Sequence, residues 1–378
     1  MEFDFSWLLW GLPIAFALGW LASRLDLRQL RLENRQTPKA YFKGLNHLLN
    51  EQQDQAIDAF IEAVQNDPDT SELHFALGNL FRRRGEYDRA VRVHEHLLAR
   101  ADLNTADRQR AQHGLALDFL KAGLLDRAED ALRKLEGSPY EGQARLARLA
   151  IYERSREWPE AAEVAELLER SGEVNFSVRK AHYLCEQARE AFAQGDADRA
   201  LDLLETSIRQ VPHAPRPRLL LGQLLLTRDQ PVKSLEVLRP LFDQLEPNAA
   251  LAATTVAKAA LACGQGETAR TWLQQFYDQQ PSLDVLEALV TLQPQDVRTV
   301  FLQHLQKHPS LLAASRWLAA ASSQEAVPSV VQKALDTAAR PLARYRCAAC
   351  GFEAKEHFWH CPGCQAWDSY PPRRVEEL

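Results

Sequence analysis

The sequence predicts an all-α protein: a superhelical solenoid of paired helices, preceded by one transmembrane helix and closed by a small metal-binding ribbon. Three observations carry this. A turn-and-helix pattern recurs through most of the chain, a stretch near the N-terminus lacks charge, and four cysteines crowd the C-terminal end.

The recurring pattern is clearest at residues 84–90, Arg-Gly-Glu-Tyr-Asp-Arg-Ala, and returns at 121–128 and 194–200. In each copy a glycine marks a tight turn, an acidic residue starts the next helix, and an alanine five residues after the glycine opens its buried face. Ala56, Ala90, Ala128, Ala162 and Ala200 fall at steps of 34, 38, 34 and 38, and Ser234 and Ala269 continue at 34 and 35. This spacing resembles the tetratricopeptide repeat, two antiparallel helices whose small residues let neighbouring pairs stack. Gly44, Ala56, Phe60, Ala63 and Pro68 stand at that family's places in the first repeat. The second has Leu77, Gly78, Phe81 and Ala90, but His94 where Phe is usual. The steps of 38 predict four-residue insertions in the loops near Thr105 and Ser171-Gly172.

Composition narrows the class. The 378 residues are 46% hydrophobic and 25% charged, ordinary for a folded protein and enough for more than one core. Lys+Arg 45 against Asp+Glu 51 leaves a net charge of −6, which argues against a nucleic-acid partner. No nucleophile elbow, phosphate loop, HExxH or paired-carboxylate pattern is present, so no catalytic residue is named.

Taken in order, residues 1–22 form the anchor. The uncharged run 5–22 just spans a hydrocarbon core of roughly 30 Å, with Trp7, Trp10 and Trp20 toward its ends. Glu2 and Asp4 precede it, whereas Arg24, Arg28, Arg31 and Arg35 follow. The positive-inside rule therefore puts the N-terminus outside and the body in the cytoplasm. A cleaved signal peptide would want a basic start, and this one is acidic. Residues 23–37 are a juxtamembrane linker, 38–285 the repeats, and 286–340 a degenerate helical cap that closes the solenoid's exposed end. The repeat register points Tyr41, Leu45, Leu48, Phe75, Asn79, Arg82 and Arg83 toward the concave surface where partners of such solenoids lie.

Residues 341–378 hold Cys347-Ala-Ala-Cys350-Gly and Cys361-Pro-Gly-Cys364. Two CxxC pairs ten residues apart make facing knuckles whose N–H groups stabilise thiolates, a closed four-sulfur site suited to zinc or iron alike. Gly351 and Gly363 supply the backbone angles such turns need. The segment resembles rubredoxin and its zinc-ribbon relatives, although the interval between knuckles is much shorter than in true rubredoxin. A ribbon this small has almost no core. Its aromatic residues Phe352, Phe358, Trp359 and Trp367 exceed what it can bury, so it is expected to dock on the C-terminal repeats.

An anchor, a run of repeats and a terminal rubredoxin-like tetrad, in that order, resemble the lipopolysaccharide assembly protein B family of Gram-negative bacteria. The resemblance implies a non-enzymatic, single-pass inner-membrane protein facing the cytoplasm. It implies regulation of lipid A synthesis through proteolysis of the committing deacetylase by the membrane-bound AAA+ protease, and a role in gathering other lipopolysaccharide-synthesis enzymes. It assigns one iron or zinc ion to Cys347, Cys350, Cys361 and Cys364. A general membrane scaffold unrelated to proteolysis and an iron-dependent electron-transfer protein remain as alternatives.

Overall fold

The structure, a computed structural model, describes residues 15–20, 42–172, 174–295, 297–320 and 329–378. Most of the expected anchor, the linker 23–37 and Tyr41 lie outside the described residues. Among the described residues no helix is long and apolar enough to cross a membrane. The chain forms two compact units, Met1–Ile151 and Tyr152–Leu378.

The first unit holds α1 (42–49), α2 (Gln53–Asn66), α3 (Ser71–Arg84), α4 (Tyr87–Ala99), α5 (Thr105–Ala122) and α6 (Leu125–Arg133), and α7 (Glu141–Ser155) follows in sequence. The second continues with α8 (Trp158–Arg170), α9 (Ser177–Ala193), α10 (Ala197–Gln210), α11 (Pro215–Thr227), α12 (Pro231–Asp243), α13 (Ala253–Ala262), α14 (Gly266–Gln279) and α15 (Leu283–Leu292). Then come α16 (Val297–Lys307), α17 (Leu311–Ala319), α18 (Ser329–Ala339) and the two-residue strands β1 (Tyr345–Arg346) and β2 (Glu353–Ala354).

One turn geometry generates the repeat. A left-handed residue, at Glu51, Gly85, Gly123, Arg156, Gly195, Asp229 and Gly264, ends each first helix. The residue after it donates its N–H back to the carbonyl five positions earlier, as Glu86 does to Phe81 and Glu157 to Tyr152, both at 2.9 Å. That is the Schellman closure of a helix C-terminus. The same residue's carbonyl then accepts from the position four further on, which becomes the first buried site of the second helix. Those sites are Ala56, Ala90, Ala128, Ala161, Ala200, Ser234 and Ala269, each at most 1% exposed.

Two expectations change here. The fourth repeat's buried alanine is Ala161, not Ala162, which is only half-buried. Arg156 fills the left-handed position there without a glycine to mark it, so the sequence register slipped by one. The first step of 38 is not a loop insertion: α5 has 18 residues where α3 has 14. The four extra residues add about one helical turn.

Glycines in the first helices make the notches that accept the second. A Cβ on Gly44, Gly78 or Gly222 would stand 2.8, 2.6 and 2.6 Å from the Phe60, His94 and Leu238 side chains respectively. These side chains sit four residues after the buried Ala or Ser. His94 fits where Phe is usual because Gly114 of α5 opens a second notch on its other side, 2.7 Å by the same measure. Its Nδ1 meets the buried Asp118 carboxylate at 2.5 Å, which also accepts from Arg82 at 2.7 Å. A buried carboxylate needs such partners.

Candidate metal centre and the ribbon seat

The four cysteines lie on two knuckles built alike. Gly351 donates to the Cys347 carbonyl at 2.9 Å and Gln365 to the Cys361 carbonyl at 2.8 Å. The residue after each second cysteine is left-handed: Gly351 (φ 78°) and Gln365 (φ 61°). Gly363, expected to supply such an angle, does not have a positive φ. Its lack of a side chain lets Phe352 pack against it, 3.4 Å from where a Cβ would stand. β1 and β2 pair antiparallel behind the first knuckle, and His360 bridges Trp367 behind the second.

All four Sγ atoms lie within 4.8 Å of one another, with Cys347–Cys364 at 3.8 Å and Cys350–Cys361 at 3.7 Å. A tetrahedron of thiolates about 2.3 Å from a zinc ion has edges of about 3.8 Å. Cys347 and Cys361 are buried, whereas Cys350 and Cys364 are exposed. Burial opposes ionisation of Cys347. The Ser369 hydroxyl and the N–H groups of Cys350 and Ala349 outweigh it and draw that thiol down to about 6. For Cys350 the Phe352 N–H favours the thiolate, but partial desolvation within the cluster and the thiols of Cys364, Cys347 and Cys361 prevail and push it up to about 12. Sulfurs this close resist common ionisation unless a cation sits among them. The cluster is consistent with one metal ion, iron or zinc.

The ribbon docks on the solenoid, and it reaches further back than the C-terminal repeats. Trp367 is the wedge. Its ring lies between His182 of α9 (centroids 4.9 Å apart, 15°) and His360 (4.3 Å, 11°), with its edge toward Trp158 and Tyr183. Its Nε1–H donates to Glu153 at 3.0 Å. Next to it, Asp368 accepts from His182 Nε2 at 2.9 Å, and Arg216 of α11 reaches His182 Nδ1 at 3.4 Å and pairs with Glu186. Trp158, the first residue of α8, is 3% exposed and donates to Glu190.

A second set of contacts fixes the tail to the cap. The Tyr345 hydroxyl donates to Asp284 at 2.6 Å, and Arg374 pairs with the same carboxylate. Glu377 accepts the Leu283 N–H at 2.6 Å at the start of α15. Glu376 accepts from Ser310 at 2.7 Å and from the N–H groups of Leu311 and Leu312 at the start of α17. None of these seat residues carries a motif. Only the surplus of aromatics hinted at them.

The residues expected on the partner surface are placed unevenly. Phe75 is 2% exposed, packed with Leu97, Leu103 and Ala111 beneath the Arg110 guanidinium, 4.1 Å from its ring. Asn79 accepts from Arg82, and Arg82 is turned inward to Asp118 and to the Gly114 carbonyl. Arg83 is exposed.

Fold and tetrad together define a tetratricopeptide-repeat protein that ends in a rubredoxin-type metal ribbon. The rubredoxin metal binding domain family matches residues 345–371, and tetratricopeptide repeat families match 73–109 and 191–244. Lipopolysaccharide assembly protein B of Escherichia coli (strain K12) is 32% identical over 96% of this chain and 97% of its own. The protein of that name from Haemophilus influenzae is 26% identical over 97% and 98%. Among solved structures, a tetratricopeptide repeat protein from Parabacteroides merdae aligns over 68% of this chain and 98% of its own, at 16% identity and a TM-score of 0.34. The chain belongs to the lipopolysaccharide assembly protein B family.

Proposed function

We propose that this chain is a non-catalytic adaptor in lipopolysaccharide synthesis. Residues 1–22 tether it to the inner membrane, with the N-terminus periplasmic and the body cytoplasmic. There it brings the lipid A pathway deacetylase to the membrane-bound AAA+ protease and so limits the deacetylase, while other lipopolysaccharide-synthesis enzymes share its surface. The observation that carries the reading is likeness along 96% of the chain to a protein named for lipopolysaccharide assembly. Two physical arguments support it. A helix-pair solenoid offers an extended surface to other proteins, and a membrane tether raises the local concentration of membrane partners.

The test is affinity purification of the full chain from gently solubilised membranes, beside a variant with all four cysteines changed to serine. Recovery of protease and deacetylase with the native chain, and a rise of the deacetylase on depletion, is the expected result. Recovery of synthesis enzymes alone, with deacetylase unchanged on depletion, would replace the adaptor by a plain scaffold. Exposure of Cys350 and Cys364 favours one second reading, electron transfer through an iron-loaded ribbon. A reversible one-electron wave from the purified protein would support it, and a colourless zinc-loaded ribbon would remove it.

A further inference from the structure

We infer that the cleft walled by α9, α11 and the ribbon seats an acidic, extended peptide segment of a protein client, so that the ribbon is itself part of the client site. This rests on the adaptor reading and adds the chemistry of what is bound. The cleft has a volume of about 1010 Å³. That is the upper end of the roughly 300–1,000 Å³ of small-molecule pockets, and it suits a run of main chain.

Charge selects the occupant. Arg154, Arg156 and Lys355 line the cleft, are exposed, and make no ion pair among the described residues. Of the cleft's carboxylates, Glu186 and Glu153 are held in ion pairs, with Arg216 and with Arg179, whereas Glu190 keeps its charge. Glu190 accepts from Trp158, and Glu153 also accepts from Tyr183 and Trp367. Glu356 and Glu190 are exposed and make no ion pair among the described residues, but six basic side chains line the cleft against four carboxylates, so its wall stays net positive. An acidic segment is therefore drawn in and a basic one repelled.

The wall chemistry favours a peptide over a small anion. Leu219 and Leu220 face the cleft from α11, and Phe358 and Trp359 from the ribbon, so apolar side chains have places between the charged ones. The wall also keeps buried polar atoms without partners, of both kinds. Arg216 Nε is a donor. His357 Nδ1 is an acceptor, because its Nε2 faces the Tyr370 carbonyl at 3.0 Å. A main chain carries donors and acceptors in regular alternation, whereas a lone carboxylate satisfies donors only.

The experiment uses the metal-loaded full chain in detergent and three fluorescein-labelled dodecapeptides. In the first, Glu alternates with Phe or Leu; in the others, Gln or Lys replaces Glu. Anisotropy titrations at low and high salt give affinities. The acidic peptide is expected to bind at least tenfold more tightly than the Gln peptide, with the advantage shrinking as salt rises. Reversing the three cations (Arg154→Glu, Arg156→Glu, Lys355→Glu) is expected to abolish that preference while leaving metal content and melting unchanged, since all three are exposed. Inorganic phosphate at equal charge should not compete.

Equal affinity for the three peptides, a preference that survives the reversal, or displacement by phosphate would each overturn the inference. Pull-down with the native chain, beside the peptide titrations, keeps the two readings apart. If peptide preference is absent while protease and deacetylase still co-purify with the native chain, the cleft inference falls and the adaptor stands. The opposite pattern, peptide binding without those partners, removes the adaptor and leaves an acidic-peptide site.

Discussion

His182 and Asp368 stand 186 positions apart in the chain, and the imidazole donates its Nε2–H to the carboxylate at 2.9 Å. The Arg216 guanidinium approaches the other ring nitrogen, so the imidazole is neutral and its tautomer is fixed from both sides. The pair joins the middle of the solenoid to the last turns of the ribbon.

The pair makes the ribbon seat sensitive to acid. Burial lowers the His182 pKa below its ordinary 6.5, against the pull of Asp368. A base with a depressed folded pKa contributes stability above its unfolded pKa and loses it as pH falls below about 6.5. Thermal unfolding of the native chain and of His182→Gln, followed by tryptophan fluorescence at pH 7.5 and 6.0 with metal content checked, should show the native advantage shrinking at the lower pH. An advantage that grows on acidification would refute the assignment.

Removing the metal should free the ribbon without melting the repeats. Structural zinc sites contribute on the order of 10 kcal/mol to small modules, and the ribbon's own core is only the small cluster of Tyr345, Cys347, Cys361 and Tyr370. Chelation, or Cys361→Ser, should abolish amide protection across that segment and red-shift Trp367 emission. Far-ultraviolet circular dichroism should stay helical. Loss of helix on chelation would mean that the solenoid depends on the ribbon.

In the first unit, Gly114→Ala should destabilise by about 1–3 kcal/mol, because the new methyl meets the His94 ring in a packed core. Denaturant unfolding measures it. Gly123→Ala tests a different mechanism: nothing lies within 4 Å of a Cβ there, but φ is 77°. It should cost about 1–2 kcal/mol from backbone strain alone.

The C-terminal carboxylates act as helix caps supplied from a distance. Glu376→Gln with Glu377→Gln should lower stability of the cap by about 1–2 kcal/mol, since each carboxylate satisfies N–H groups at a positive helix end. Hydrogen exchange should rise at Leu283, Leu311 and Leu312 and not in α9. Unchanged exchange at those three amides would show that the caps contribute nothing.

The repeats were legible because their rule is local. Each turn needs one left-handed residue and each second helix one small residue, so Gly85, Gly123 and Gly195 with Ala90, Ala128 and Ala200 print the period on the sequence. Where Arg156 takes the left-handed place the signal vanished, and the register moved to Ala162. The tetrad was legible for a similar reason, since ligands two residues apart within one turn are a local pattern. The same spacing led to Gly363 as a turn residue, but Gln365 carries the positive φ.

What sequence by itself determined is therefore the helix-pair architecture, its period and the four-sulfur cluster, all set by interactions within a few residues. Tertiary structure alone decided where Phe75 and Arg82 went, turned from an expected outer surface to the core and to Asp118. It also decided the ribbon's seat, where Trp367 enters between His182 and His360 and two glutamates cap helices far upstream. These contacts join residues that carry no shared spacing. Burial of surplus aromatic surface and the unmet N–H groups of distant helix ends drive them, and neither leaves a period for a sequence to display.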